Sequence, residues 1–232
     1  MSQDIQQLRE AICDVGRKMY DRQLCSTNDG NISIRLEDGN FLITPTGVSK
    51  GFMTPDMMCI VDKDGNLVEE NGPWKGTSEF KLHYKIYQLR PDVNAVVHAH
   101  PLYGTVFAAA NMPLDKPICT EAALNLGEIP VIKYGLPGTF DICGDIEDYI
   151  EYHDAVLMRY HGAVTYGPDV LTAYYRMESL EFIAQQEFAA RAMGIVEKAT
   201  IPQDVIDELY QLRREKYSAP DSMGPHHIAN KK

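Results

Sequence analysis

The chain has little of three things: cysteine in any pattern, positive charge and long apolar runs. Its five cysteines, Cys13, Cys25, Cys59, Cys119 and Cys143, are odd in number, widely spaced and without a Cys-x-x-Cys pair. Neither a disulfide framework nor a thiolate zinc site follows from them, and a reducing cytoplasm is the expected compartment. Acids outnumber bases 33 to 22, a formal net charge of -11. A balance of that sign argues against nucleic acid and anionic membranes as partners, so any phosphate must be held by a local cluster of donors. No apolar stretch approaches the roughly 20 residues that a membrane helix needs, and the first residues do not read as a signal peptide. Repeats and low-complexity segments are absent too. With 232 residues the chain is long enough to bury a core unaided. One domain over 1–232 is expected, its polar tail disordered from about Ser218.

What is there begins with Ala95-Val96-Val97-His98-Ala99-His100-Pro101, a short apolar run ending in two histidines. A strand turns alternate side chains to opposite faces, so His98 and His100 point one way while Val97 and Ala99 point the other. Two imidazoles on a polar strand face would by themselves imply no ion. This run is too apolar for a solvated strand, however, and Met158-Arg159-Tyr160-His161-Gly162 closes a second apolar run with a third histidine. Three neutral imidazoles with an open fourth position are a common way to hold catalytic zinc, so a divalent-metal site at His98, His100 and His161 is expected.

The rest of the chain reads as alternating helices and strands. Ile5, Leu8, Ile12, Val15 and Met19 recur at the spacing of one helical face. Ile32, Ile34 and Leu36 alternate as a strand, which Asp38-Gly39 turns into Phe41-Leu42-Ile43-Thr44, and a second hairpin is expected from Met58 to Val68 around Asp64-Gly65. Residues 77–90 form a helix with a broad apolar stripe, and residues 101–114 a helix of small residues. The stretch 115–145 is looser, with Ile129-Pro130-Val131-Ile132 as an edge strand. A strand over 155–161 carries the third histidine. After Gly167-Pro168-Asp169 a long helix is expected to bury Ala173, Met177, Leu180, Ala184 and Phe188, with Glu178, Glu181 and Gln185 facing elsewhere. A last helix after Thr200-Ile201-Pro202 carries Val205, Leu209 and Leu212. His83 and His153 read as packing or surface residues, and His226 and His227 belong to the tail.

Several polar residues admit two readings. Gly30-Asn31 and Thr44-Pro45-Thr46-Gly47-Val48-Ser49-Lys50-Gly51 are ordinary turn sequences, yet glycine-freed amides with Asn and hydroxyl side chains also make anion-binding concavities. Thr77 and Ser78 suit a helix N-cap and equally suit a phosphate at the helix start. Glu79 could complement the helix dipole or act as an acid near the metal. Glu121 could be a surface carboxylate or a second acid.

Taken together, Gly30-Asn31-Ile32-Ser33, Thr44-Pro45-Thr46-Gly47, Thr77-Ser78-Glu79, His98-Ala99-His100 and His161-Gly162 resemble, in order and approximate spacing, the motifs of the class II aldolase/adducin family. The resemblance spans about residues 5 to 190 and is strongest to the branch that cleaves fuculose phosphate and related ketose 1-phosphates. It implies an α/β fold, a three-layer α/β/α domain around a mostly antiparallel mixed sheet, assembled as a homotetramer of C4 symmetry with active sites between neighbours. It gives His98, His100 and His161 the role of ligands to a divalent metal, most often Zn2+, with Mn2+ or Co2+ as alternatives. Glu79 becomes the acid/base, and Asn31, Gly47, Thr77 and Ser78 hold the phosphate of a small sugar-phosphate substrate. The reaction implied is cleavage of a ketose 1-phosphate, of the fuculose, deoxyribulose or methylthioribulose type, to dihydroxyacetone phosphate and an aldehyde through an enediolate. The same fold also supports sugar-phosphate 4-epimerases, methylthioribulose-1-phosphate dehydratases and the non-catalytic adducin head. One position departs from the pattern: Thr120 stands where the aldolases carry a proton-donating tyrosine, which leaves Glu121, Tyr210 or Tyr217 as substitutes.

Overall fold

The computed structural model describes residues 4–216. The tail from Ser218, with His226 and His227, and the candidate donor Tyr217 lie outside the described residues. Seven strands form one sheet: β1 (Asn31–Arg35), β2 (Phe41–Ile43), β3 (Cys59–Val61), β4 (Ala95–Ala99), β5 (Val131–Ile132), β6 (Ala155–Met158) and β7 (Gly162–Gly167). Their order is β3-β2-β1-β4-β7-β6-β5. Every neighbouring pair is antiparallel except β5 and β6, so the sheet is mixed and mostly antiparallel as expected.

The helices are α1 (Ile5–Asp21), α2 (Phe80–Leu89), α3 (Leu102–Ala110), α4 (Thr120–Asn125), α5 (Val170–Ala192), α6 (Val196–Ala199) and α7 (Gln203–Lys216). The layers follow from strand alternation. On β4, Ala95, Val97 and Ala99 join Ile12, Met19, Phe107, Met177 and Leu180 in the core beneath α1, α3 and α5. Val96 turns the other way, into a second core with Phe80, Leu82, Ile86 and Tyr87 of α2. His98 shares that α2 side, because it lies two residues from Val96. The α/β/α layering of the sequence reading is what the chain adopts.

Four expectations change. The segment after His161 is a full central strand, β7, paired to both β4 and β6; glycines at its two ends disguise it as loop in the sequence. The second hairpin forms but is short: beyond β3 its return arm is held by one antiparallel bridge, Val61 with Leu67, and by the Asp62 and Val68 amides donating to the Asn66 and Ile60 carbonyls. On α5, Glu181 is buried and Phe188 is 46% exposed. The reason lies in α3, whose N-cap is Pro101 and offers no side-chain acceptor; Glu181 supplies one from outside, accepting from the Tyr103 and Gly104 amides at 3.0 and 2.9 Å. On α7 the buried residues are Ile206, Tyr210 and Arg213 rather than Val205 and Leu212. That face is chosen by long-range partners: Ile206 and Tyr210 pack on Ala123 of α4, and Arg213 reaches Asp154 at 3.2 Å.

Candidate active site

Two glycines let the site assemble. Gly30, at φ 75°, passes so close to Cys25 Sγ and the His98 carbonyl that a Cβ would collide with both. It delivers Asn31 into register opposite His98. Gly162 likewise lies against the Ala99 carbonyl and the His100 ring, so the tight turn from β6 to β7 lays His161 beside the β4 histidines. Tyr160, in that turn, has φ 59°.

The three imidazoles converge. Ring centroids are 4.8 to 4.9 Å apart, and one ligand nitrogen from each lies within 4.8 Å of the others. His98 Nδ1 is 2.9 Å from the Ala163 carbonyl. A carbonyl only accepts, so Nδ1 carries the hydrogen and Nε2 is a bare lone pair. His100 Nδ1 sits 3.0 Å from Asp29 Oδ2, which fixes its tautomer in the same way. The two Nε2 atoms then face each other at 3.1 Å. Two lone pairs at that separation repel unless a cation lies between or beside them. Burial also disfavours the protonated rings, holding His98 down to about 3 and His100 below its ordinary value. Three converging ring nitrogens, those of His98 and His100 bare at Nε2, fit a divalent metal, and His98, His100 and His161 are the residues that can hold it.

Glu79 completes the cluster. It occupies the N-cap position of α2, but its side chain makes no bond to the helix amides. Instead Oε2 lies 3.3 Å from His98 Nε2 and Oε1 3.2 Å from His161 Nε2. Burial alone would raise this carboxyl; the hydrogen bonds from His161 and from the Asn31 amide oppose it and hold the group below the usual carboxylate range.

A family model for the class II aldolase and adducin N-terminal domain matches residues 10–188. The chain belongs to this family. An L-fuculose phosphate aldolase of Methanococcus maripaludis is 39% identical over 173 residues, 74% of this chain and 91% of its own length. A 3-oxo-tetronate 4-phosphate decarboxylase of Haemophilus influenzae is 31% identical over 192 residues, 81% of this chain and 90% of its own. Among solved structures, an L-fuculose 1-phosphate aldolase superposes with a TM-score of 0.80 at 26% identity, covering 92% of this chain and 97% of that one.

Other residues assigned through the class II aldolase resemblance fall near or far from this cluster. Gly47, at φ 75°, and Ser78 are exposed. Their loops are tied together by a Pro45–Gly76 bridge and by amide bonds Thr46 to Lys75 and Thr77 to Thr44. Thr77 Oγ1 accepts from the Glu79 amide at 3.3 Å, a weak cap. Asn31 is placed differently from a simple phosphate ligand: Nδ2 donates to Glu79 Oε2 at 2.7 Å and Oδ1 lies 2.5 Å from His83 Nε2. Lys50, 1% exposed, pins the two glycine-rich loops by donating to the Asn28 and Val48 carbonyls.

Thr120 and Glu121 are exposed at the start of α4 and hydrogen-bonded to each other. Glu121 lines a cavity of about 610 Å³ between Arg22, Leu24, α4 and α5, which none of the three histidines borders. Tyr210 is a core residue of the α4–α7 contact, 4% exposed, its hydroxyl pushed up by burial, so a donor role within one protomer does not suit it. His83 is the residue that sequence reasoning undervalued. Glu79, His83 and Tyr87 recur every four residues, one polar line on an otherwise apolar helix face, and that spacing was the available signal. Among the described residues no helix is long and apolar enough to cross a membrane.

Proposed function

We propose that the protein is a metal-dependent aldolase that cleaves a ketose 1-phosphate between C3 and C4 to dihydroxyacetone phosphate and an aldehyde. The observation that carries this reading is a half-buried carboxylate, Glu79, set against two of three histidines whose ring nitrogens converge. A divalent metal, Zn2+ first and Mn2+ or Co2+ as alternatives, held by His98, His100 and His161 supplies Lewis-acid stabilisation of the charge that develops on the substrate oxygens. Glu79 moves the proton. In cleavage the C4 hydroxyl gives its proton to a second acid/base as the C3–C4 bond breaks and the aldehyde forms, and Glu79 delivers a proton to C3 of the enediolate to release dihydroxyacetone phosphate; synthesis reverses both transfers. No lysine Schiff base is needed.

The phosphate is held by Gly47, Thr77 and Ser78 on the paired loops. Asn31 contributes its second amide hydrogen, the first being given to Glu79. Grip on a group remote from the reacting bond fixes the geometry of C3 against Glu79. The aldolase relative at 39% identity supports this chemistry over the decarboxylase at 31%. We further assign a cytoplasmic homotetramer of fourfold symmetry with sites between neighbours. Exposed Leu102 and Val106 on α3 and Leu171, Tyr175 and Phe182 on α5 are apolar area that such contacts would cover. A neighbour could also bring Glu121 to the site in place of the tyrosine that Thr120 replaces.

Incubation with several ketose 1-phosphates, coupled to a dihydroxyacetone-phosphate reductase, tests the reaction. Signal in the coupled assay supports the aldolase. An isomeric phosphate without that product makes it an epimerase, loss of water makes it a dehydratase, and silence on all substrates with no metal bound makes it an adducin-like binding module. Light scattering at assay concentration tests the assembly, and a fully active monomer contradicts it.

A further inference from the structure

Behind Glu79 lies a buried line of hydrogen bonds that the proposed reaction does not itself require. Tyr87 OH is 2.7 Å from Ser33 Oγ, and Ser33 Oγ is 2.7 Å from His83 Nδ1. His83 Nε2 is 2.5 Å from Asn31 Oδ1, and Asn31 Nδ2 is 2.7 Å from Glu79 Oε2. Ser33 and His83 are fully buried, and Asn31 and Tyr87 each 4% exposed. Water therefore does not substitute for any of these partners.

The direction of every bond is fixed from one end. An ionised Glu79 only accepts, so Asn31 must turn its NH2 toward Oε2 and its carbonyl toward His83. A carbonyl only accepts, so His83 must carry its hydrogen on Nε2. Full burial holds His83 down to about 4, which keeps the ring neutral with a single hydrogen. Nδ1 is then bare and must receive the Ser33 hydroxyl hydrogen, leaving Ser33 to accept from Tyr87. Burial raises the Tyr87 hydroxyl far above its ordinary value, so it keeps the hydrogen it donates. All the donors point at Glu79.

We propose that His83 is a positioning residue for the acid/base: by donating from Nε2 it forbids the Asn31 amide to flip, and so holds Glu79 in place through a fixed N–H. Asn31 in the flipped state would set its carbonyl against Oε2, an acceptor facing an acceptor, and the carboxylate would move away. The proposal rests on the acid/base reading of Glu79 and adds to it the residue that aims that group.

The test uses the metal-loaded full chain with His83→Leu, which keeps an apolar, similar-sized side chain and removes the donor, and His83→Gln, whose amide restores a donor near Nε2. The expected result for His83→Leu is unchanged metal content, a KM within about twofold and a kcat down about a hundredfold, the scale of a misplaced reacting group. His83→Gln is expected to recover most of that loss. A structural role alone would lower metal content or raise KM together with kcat loss, and would not be rescued by the amide. A His83→Leu enzyme with kcat near wild type overturns the proposal while Glu79→Gln remains inactive; if Glu79→Gln is itself fully active, the acid/base reading falls and takes this proposal with it. Should His83→Leu not fold, neutron diffraction on the wild-type protein decides. Deuterium on His83 Nε2 with the Asn31 ND2 group toward Glu79 supports the relay, and deuterium on Nδ1 or on both nitrogens overturns it.

Discussion

The strands β4, β6 and β7 carry a buried polar cluster at each end, and the two are built on opposite plans. At the end near Ala95 and Ala155, Asp154 is 1% exposed and meets three guanidinium groups: Arg90 at 3.1 Å, Arg176 at 2.7 Å and Arg213 at 3.2 Å. Arg90 also grips Asp92 through two bonds of 2.8 Å and donates to the Ile150 carbonyl. Three guanidinium groups there share two carboxylates of the same chain, Asp154 and Asp92. At the other end, Nε2 of His98 and His100 face each other as lone pairs and Glu79 adds a negative charge. That end lacks positive charge at its centre. A closed ionic cluster locks helices, while an open one asks for a ligand, and buried groups with strongly shifted protonation are a mark of functional sites only in the second case.

The largest effect expected from this contrast is kinetic and confined to the open end. Glu79→Gln should lower kcat by about 100- to 10,000-fold, while the protein stays folded, since no helix-cap bond is lost and the amide oxygen can still accept from Asn31. A steady-state assay beside urea unfolding reads both. If stability falls and rate does not, the two ends are alike and the comparison breaks.

Asp154→Ala is the mirror experiment. Removing the shared carboxylate takes away the partner of Arg176 and of buried Arg213 and leaves buried Arg90 with Asp92 alone, and should cost about 3 to 5 kcal/mol of stability. The kcat of the folded fraction should stay within about twofold, because the metal-ready histidines lie at the other end of the strands. Chemical denaturation and active-site-normalised kinetics check it; a large loss of kcat in well-folded Asp154→Ala contradicts the division.

Two smaller effects sharpen the picture. Glu181→Ala should destabilise by about 1 to 3 kcal/mol, because the Tyr103 and Gly104 amides lose a buried acceptor that Pro101 cannot replace; thermal unfolding reads it. Ser78→Ala, on the phosphate side of the open end, should raise KM by up to about tenfold with kcat nearly unchanged, as loss of one charge-assisted hydrogen bond made equally in ground and transition states. Equal KM values, or equal use of an unphosphorylated ketose, contradict the phosphate assignment.

The two ends also differ in how far they could be read from sequence. His98 and His100 announce themselves through the period of a strand, and the ends of α2 follow from Gly76 and Pro91. The Asp154 cluster is invisible, because Arg90, Asp154, Arg176 and Arg213 are brought together only by the pairing of β6 with β7 and the docking of α7. The missed strand β7 hid both facts: with glycines at its start and finish its alternation of Ala163 and Thr165 against Val164 and Tyr166 passed for loop. Asn31 was legible as a site residue but not as the partner of Glu79, since that bond depends on β1 lying beside β4 in one register. His83 reads as a packing or surface residue because its line with Glu79 and Tyr87 runs inside an apolar stripe.

The central claim is that Glu79, set against His98 and His161 of the three converging histidines, moves the C3 proton of dihydroxyacetone phosphate. Exchange of that proton with solvent deuterium, followed by NMR with no aldehyde present, isolates this one step from bond cleavage. Metal-loaded wild-type protein should exchange it, with the rate abolished by chelation and lowered about 100- to 10,000-fold in Glu79→Gln. Exchange by Glu79→Gln at the wild-type rate, or exchange indifferent to chelator in a protein without bound metal, contradicts the account.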